Sequence, residues 1–229
     1  MFDNKYRAIL ADTEESRDIH YSLRYQVYCL EKGFEPAHNF KDELEKDKYD
    51  DNSVHFLIQE KSNGNWVGTV RLVIVEPQNL PILEYTEIEE EKLDSKNRKV
   101  AELSRLSILR DYRRTGDKVG KSGLGNEPEI LLGLIRATNA YCKEAGISNW
   151  VFLCRRAIRR IVSKVGIRID IIGPPCEHRG TRYPFLGRLN SGFVGISEVS
   201  PETQEMMSQK SAYSRYSDLY GYDYEQAAA

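Results

Sequence analysis

A short apolar run at residues 6–11 gives way to Asp12 and Thr13, either of which can cap a helix that carries Glu14 and Glu15 in its first turn. Ile19, Leu23, Val27 and Leu30 then recur at helical spacing, which predicts a helix over 14–32 with one apolar face and a stop at Gly33. Residues 34–51 keep no period and read as a surface loop of the kind that lines sites. The β-branched and aromatic runs 54–60 and 66–75 flank Ser62-Asn63-Gly64-Asn65, the clearest hairpin pattern in the chain. Residues 99–108 predict a strand, and strict alternation puts Ala101, Leu103, Arg105 and Ser107 on one face and Glu102, Ser104, Leu106 and Ile108 on the other.

A basic, glycine-rich loop covers 110–125, after which Pro128 opens a helix over 129–145 with Ile130, Leu134, Ala137 and Tyr141 on its packing face and Gly146 at its end. A strand at 150–154, a helix at 155–165 ended by Gly166 and a strand at 167–172 follow. The segment GPPCEHRGTRYPF reads as turns, with a last short strand expected near 193–196. The order β-α-β-β-β-α-β-α-β-β defines one α/β (α+β) domain, a mixed sheet flanked by helices over 1–200, followed by a Tyr-rich C-terminal arm over 201–229.

Composition narrows the function classes. With 40% apolar and 30% charged residues in 229, the chain can order a compact core, which excludes fibre, coiled coil and bulk disorder. A net charge of -2 gives no global pull toward nucleic acid, and no aromatic residues interleave the arginine clusters as RNA binding would require. No apolar run approaches the roughly 18–20 residues of a membrane span, and the start MFDNKYRAILADTEES lacks a secretory pattern, so a cytoplasmic protein is expected. Cys29, Cys142, Cys154 and Cys176 form no CxxC pair and have no histidine at ligand spacing, so they read as thiols and no metal site is expected.

The polar positions that stand out are ordered. LRYQVYCLEKGF holds Arg24, Tyr28 and Phe34, DKYD holds Asp47 and Asp50, GTVRL holds Arg71, and AELSRLSI holds Glu102 and Arg105. In this order and spacing the chain resembles the acyl-homoserine-lactone synthase branch of the GNAT acyltransferase superfamily over most of 23–185, and through IGPPCEHRGTRYPF it looks more like acyltransferases associated with PEP-CTERM/exosortase systems. The resemblance implies a GNAT-like twisted sheet and transfer of a fatty acyl group to the amine of an amino acid or related metabolite. The donor would be acyl-CoA or a phosphopantetheine-linked acyl carrier protein, with no tightly bound cofactor. It implies Glu102 and Arg105 as catalytic residues and assigns Arg24, Tyr28, Phe34, Asp47, Asp50 and Arg71 to an acceptor pocket or an ion network. The chain departs from the lactone synthases at Tyr28 and Phe34, where those enzymes carry Phe and Trp, and its pyrophosphate loop only begins to match, at Arg113-Arg114-Thr115-Gly116. Two other readings compete: a lactone synthase using S-adenosylmethionine, and a noncatalytic module that binds an acyl carrier or metabolite.

Acylation of an amine needs an uncharged nucleophile, a donor carbonyl beside it and hydrogen-bond donors where the oxyanion develops. Glu102 can take the ammonium proton directly or through a water. Burial would raise its proton affinity and Arg105 would lower it, and the two residues also satisfy the description of a structural ion pair. Arg24, Asp47, Asp50 and Arg71 suit either a tie between loop and sheet or a grip on a zwitterion. For the donor, Arg110, Arg113, Arg114, Lys118 and Lys121, with Gly116, Gly123 and Gly125, can wrap phosphates. Arg155 with Arg159 and Arg156 with Arg160 lie one helical turn apart and suit an acidic carrier protein or CoA phosphates. His178, beside Arg179 and Arg182, reads as pocket rim and a second candidate for proton transfer.

Overall fold

The structure, a computed structural model, describes residues 2–93, 98–113, 126–163, 166–189, 204–205 and 212–221. Its strands are β1 (Tyr6–Leu10), β2 (Ser53–Glu60), β3 (Trp66–Val73), β4 (Lys99–Ile108), β5 (Ile147–Cys154), β6 (Ile169–Ile171), β7 (Cys176–Glu177), β8 (Thr181–Arg188) and β9 (Ser214–Arg215). Along the sheet they run β6-β8-β5-β4-β3-β2-β1-β9, with β7 paired to β8. The β4–β5 and β1–β9 pairs are parallel and the others antiparallel. The helices are α1 (Phe2–Lys5), α2 (Glu14–Tyr25), α3 (Glu90–Leu93), α4 (Arg110–Arg113), α5 (Asn126–Glu144), α6 (Arg156–Ser163) and α7 (Tyr216–Tyr220).

The expected face of α5 is the one that packs: Ile130, Leu134 and Ala137 are buried against Phe56, Ile58, Val67 and Val70 of the sheet. Each of the larger aliphatic and aromatic side chains among them contributes about 1.5–3 kcal/mol by leaving water. At Gly133 the helix accepts the ring of Phe2, which lies 2.1 Å from where a Cβ would stand, so α1 docks directly on α5. On the opposite sheet face sits α2, begun by a capping box in which the Ser16 N–H donates to the Thr13 hydroxyl and the Thr13 N–H donates to the Ser16 hydroxyl.

Four features differ from the sequence reading, each for a local reason. After Tyr25 the helix widens into a π-helical turn over Gln26–Glu31, so Val27 stays buried while Leu30 rotates out to 56% exposure. The turn segment GPPCEHRGTRYPF instead builds the β7–β8 hairpin, and β8 is a strand interior to the sheet. Pro184 is tolerated inside β8 opposite Leu153, where its carbonyl still accepts from Ile172 N–H at 3.1 Å. Strict alternation fails in β4: between the Thr69–Ser107 and Arg71–Ser104 pairs the strand holds one residue too many, and Arg105 takes φ +52. The strand β1, expected at an edge, is flanked by β9 from the C-terminal arm, where Tyr216 is buried and stacks near Trp66 and Tyr220. The strand expected near 193–196 lies outside the described residues.

The ladder between β4 and β5 ends at Glu102–Val151, and beyond it the two strands diverge. That divergence opens the wedge in which the candidate site lies.

Candidate active site

The bulge decides what shares a surface. An uninterrupted strand would send Glu102 and Arg105 to opposite faces. With the extra residue, Glu102, Ser104, Arg105 and Ser107 all face α2, and Ile108 joins Leu103 on the α5 side. Holding a non-glycine residue at positive φ costs about 1–3 kcal/mol, here offset by the ion pairs that Arg105 makes.

Two spaces meet at this bulge. A polar chamber of about 80 Å³ is lined by Glu102, Asp47, Tyr49, Arg71, Tyr85 and His178 among others. An apolar pocket of about 550 Å³ runs through the wedge between Leu103, Leu131, Ile135, Phe152, Ile158 and Ile167. They share Tyr28, Leu103, Ser104, Arg105, Leu153 and Arg182.

Beneath the chamber lies a buried ion network. Arg24 pairs with Glu45 and, at 2.6 Å, with Asp50. Arg71 meets Asp47 at 2.5 Å and Asp50 at 2.9 Å, and its Nε donates to the Ser104 hydroxyl at 3.0 Å. Arg105 bridges Glu45 at 3.2 Å and Asp47 at 2.8 Å. Three guanidinium groups thus meet three carboxylates. The network ties the 34–51 loop to the sheet; Arg24 is wholly buried, whereas Arg71, at 1% exposure, borders the chamber. Burial alone would raise Asp50, but Arg24 and Arg71 outweigh it and bring the carboxyl down to about 2. Asp47 is lowered in the same way, its burial overcome by Arg71 and Arg105.

Glu45, at 1% exposure, is a site residue that the sequence reading missed. Arg24, Arg71 and Arg105 beside only Asp47 and Asp50 leave one charge unmatched, and a buried network demands a third carboxylate. That imbalance was the available signal.

At Glu102 the two opposing influences resolve in favour of burial, which pushes the carboxyl up to about 8 although the Ile82 N–H, Arg71 and Arg105 all act to lower it. The Ile82 N–H donates to Glu102 Oε2 at 2.7 Å and fixes the side chain. Tyr28 packs edge-on to Phe34 at 5.9 Å, with Arg105 and Arg179 over its ring at 5.3 and 5.2 Å. Arg179 also pairs with Glu35. His178 stacks on Tyr85 with centroids 3.9 Å apart, and partial burial, Arg182 and Arg105 hold its imidazole below the usual range.

Behind the network His20 and His55 stack at 4.2 Å. The Thr69 hydroxyl donates to the Phe56 carbonyl at 2.7 Å, so His20 donates from Nδ1 to Thr69 and receives Arg24 at Nε2, which fixes one neutral tautomer. His20, His55 and Asp50 bring ligand atoms within 4.8 Å, but Asp50 is occupied by two guanidinium groups, and this set does not fit a cation. Burial pushes His55 down to about 4 and His20 well below its usual range. The unfolded chain therefore takes up more protons than the native one as pH falls from about 6.5 toward 4. Stability should decline across that window by up to about 1.4 kcal/mol per pH unit for each histidine. Glu102 acts in the opposite direction, but two histidines outweigh one carboxyl. Urea midpoints measured at pH 7 and 4.5 check this, and equal midpoints would refute it.

The residues expected to bind a donor divide. Arg113 lines the apolar pocket and pairs with Glu31, whose carboxylate also receives the Arg110 N–H at 3.2 Å. Arg155 lines the pocket. Arg156 lies over Tyr183 at 5.2 Å, and Arg156, Arg159 and Arg160 are exposed on α6. Arg114, Gly116, Lys118, Lys121, Gly123 and Gly125 lie outside the described residues. Lys32, which the sequence reading did not single out, joins the pocket lining, and partial shielding with Arg113, Arg155 and Arg182 holds its ammonium below the usual lysine range.

Comparison with known proteins places the fold. Residues 23–118 match the acetyltransferase (GNAT) domain family. BjaI, a CoA-dependent acyl-homoserine lactone synthase solved with SAM and isopentyl-CoA, superposes with a TM-score of 0.62 at 17% identity over 92% of each chain. FeeM, an N-acyl amino acid synthase from uncultured soil microbes, gives 0.61 at 13% identity over 88% of this chain and 98% of that one. The fold is that of GNAT-type acyltransferases. Within that class the chain resembles the acyl-homoserine-lactone synthase of Vibrio anguillarum, with 21% identity over 160 residues, 70% of this chain and 74% of that protein. Among the described residues no helix is long and apolar enough to cross a membrane.

Proposed function

We propose that the protein is an N-acyltransferase that moves a fatty acyl group from acyl carrier protein or acyl-CoA to the amine of an amino acid or related metabolite. The observation that carries this reading is the junction of an apolar pocket of about 550 Å³ with a polar chamber at Ser104 and Arg105. An acyl chain fills the apolar space, the amine enters the polar one, and the thioester carbonyl lies between them. Main-chain N–H groups of β4 beyond its ladder with β5 hold the oxyanion, and Arg105 positions the carbonyl. Glu102, in its ionised form, takes the ammonium proton so that the free amine can attack directly, without a covalent enzyme intermediate. Arg113, Arg155 and Lys32 serve the phosphates of the pantetheine-linked donor, and the exposed arginines of α6 offer an acidic carrier protein a docking face. Such donors place the enzyme in the cytoplasm. An association with exosortase systems rests on the 172–185 segment, which supplies His178 and Arg182 to the chamber.

A donor-by-acceptor screen read by mass spectrometry tests the proposal, and an N-acylated amino acid is the expected product. The likeness to lactone synthases supports a second reading, in which S-adenosylmethionine is the acceptor and methylthioadenosine is released. Tight acyl binding with no product would identify a noncatalytic module.

A further inference from the structure

Around the polar chamber four guanidinium groups are matched by four carboxylates: Arg24, Arg71 and Arg105 by Glu45, Asp47 and Asp50, and Arg179 by Glu35. Arg182 stands outside this balance. Its side chain lines both the chamber and the apolar pocket, and among the described residues no carboxylate pairs with it. Its Nε donates to the His178 carbonyl at 2.6 Å, which orients the planar fork and leaves the two terminal nitrogens for another partner. Glu102 lines the same chamber, but its carboxyl is held by the Ile82 N–H and makes no ion pair with Arg182.

We propose that Arg182 is the anchor for the acceptor's carboxylate, so that the acceptor is a free α-amino acid whose carboxylate pairs with Arg182 while its amine faces Ser104 and Arg105. This rests on the N-acyltransferase reading and narrows its substrate class. Donor phosphate is the rival anion, and position separates the two. Lys32, Arg113 and Arg155 line the apolar pocket and not the chamber, whereas Arg182 lines both. A chamber with one surplus cation accepts a zwitterion and disfavours an acceptor that carries a sulfonium in addition to its ammonium.

The test uses the full chain with hexadecanoyl-CoA, the common L-amino acids and their methyl esters, in the wild type, Arg182→Gln and Arg182→Lys. Wild type should favour the free acid over the ester. Arg182→Gln should raise KM for the acid about 10- to 100-fold, the loss expected for a charge-assisted hydrogen bond, leave KM for the acyl-CoA unchanged, and bring acid and ester to parity. Arg182→Lys should retain part of the preference, since the charge survives without the fork. Equal use of acid and ester by the wild type would overturn the anchor without a variant having to fold, as would a rise confined to the acyl-CoA KM. Failure of the wild type to acylate any amine from either hexadecanoyl-CoA or hexadecanoyl-acyl carrier protein would instead overturn the N-acyltransferase reading, and the anchor with it.

Discussion

Replacing Glu102 by Gln should lower kcat by about 10²- to 10⁴-fold while leaving KM for the acceptor nearly unchanged. The amide keeps the side chain's shape and can still accept from the Ile82 N–H, which holds Glu102 at 2.7 Å, so the variant removes proton transfer and little else. Because the carboxyl sits at about 8, only a minority is ionised at pH 7, and the wild-type rate should rise with pH through that value. The variant should lose this inflection and keep only the one that belongs to the acceptor's ammonium. The same raised carboxyl makes the native protein less stable as pH climbs from about 4.5 to 8, since the native state holds a proton that the unfolded state releases. Glu102→Gln should flatten that slope. Unchanged turnover would remove Glu102 from the mechanism, whatever the stability data showed.

The largest loss of stability is expected at Glu45. Glu45→Ala should destabilise the fold by about 3–5 kcal/mol, because it strips a partner from the wholly buried Arg24 and leaves Arg105 with Asp47 alone. Glu45→Gln, which preserves an acceptor oxygen, should lose less. Urea unfolding of the two variants measures the difference, and a Glu45→Ala midpoint equal to that of the wild type would show that the network is not what ties the loop to the sheet.

How much could be read from the chain depended on how local the signal was. The hairpin around Asn63-Gly64, a cap at Asp12 or Thr13, of which the structure uses Thr13, and the face of α5 were legible because each is set by residues within a few positions of one another. Arg24, Asp47, Asp50, Arg71, Glu102 and Arg105 were legible as an ordered set, and the structure gathers all six around one chamber floor. Their roles were harder to read. Arg24 and Arg71 are buried in the ion network, a burial that no periodicity announces. The bulge at Arg105 left no trace, since arginine is not a residue that marks left-handed backbone, and it moves the side chain to the face of Glu102. Pro184 concealed β8 by reading as a breaker inside a strand whose carbonyls remain in use.

The parting of β4 from β5 leaves the middle of the sheet joined by a ladder that stops at Glu102 and Val151, with α5 lying across both halves. An acyl tail lodged in that gap would complete the hydrophobic interior, so the substrate would serve as a removable keystone. Release of the product would then require the protein to unpack its own centre, and the tail length held most firmly would not be the one turned over fastest.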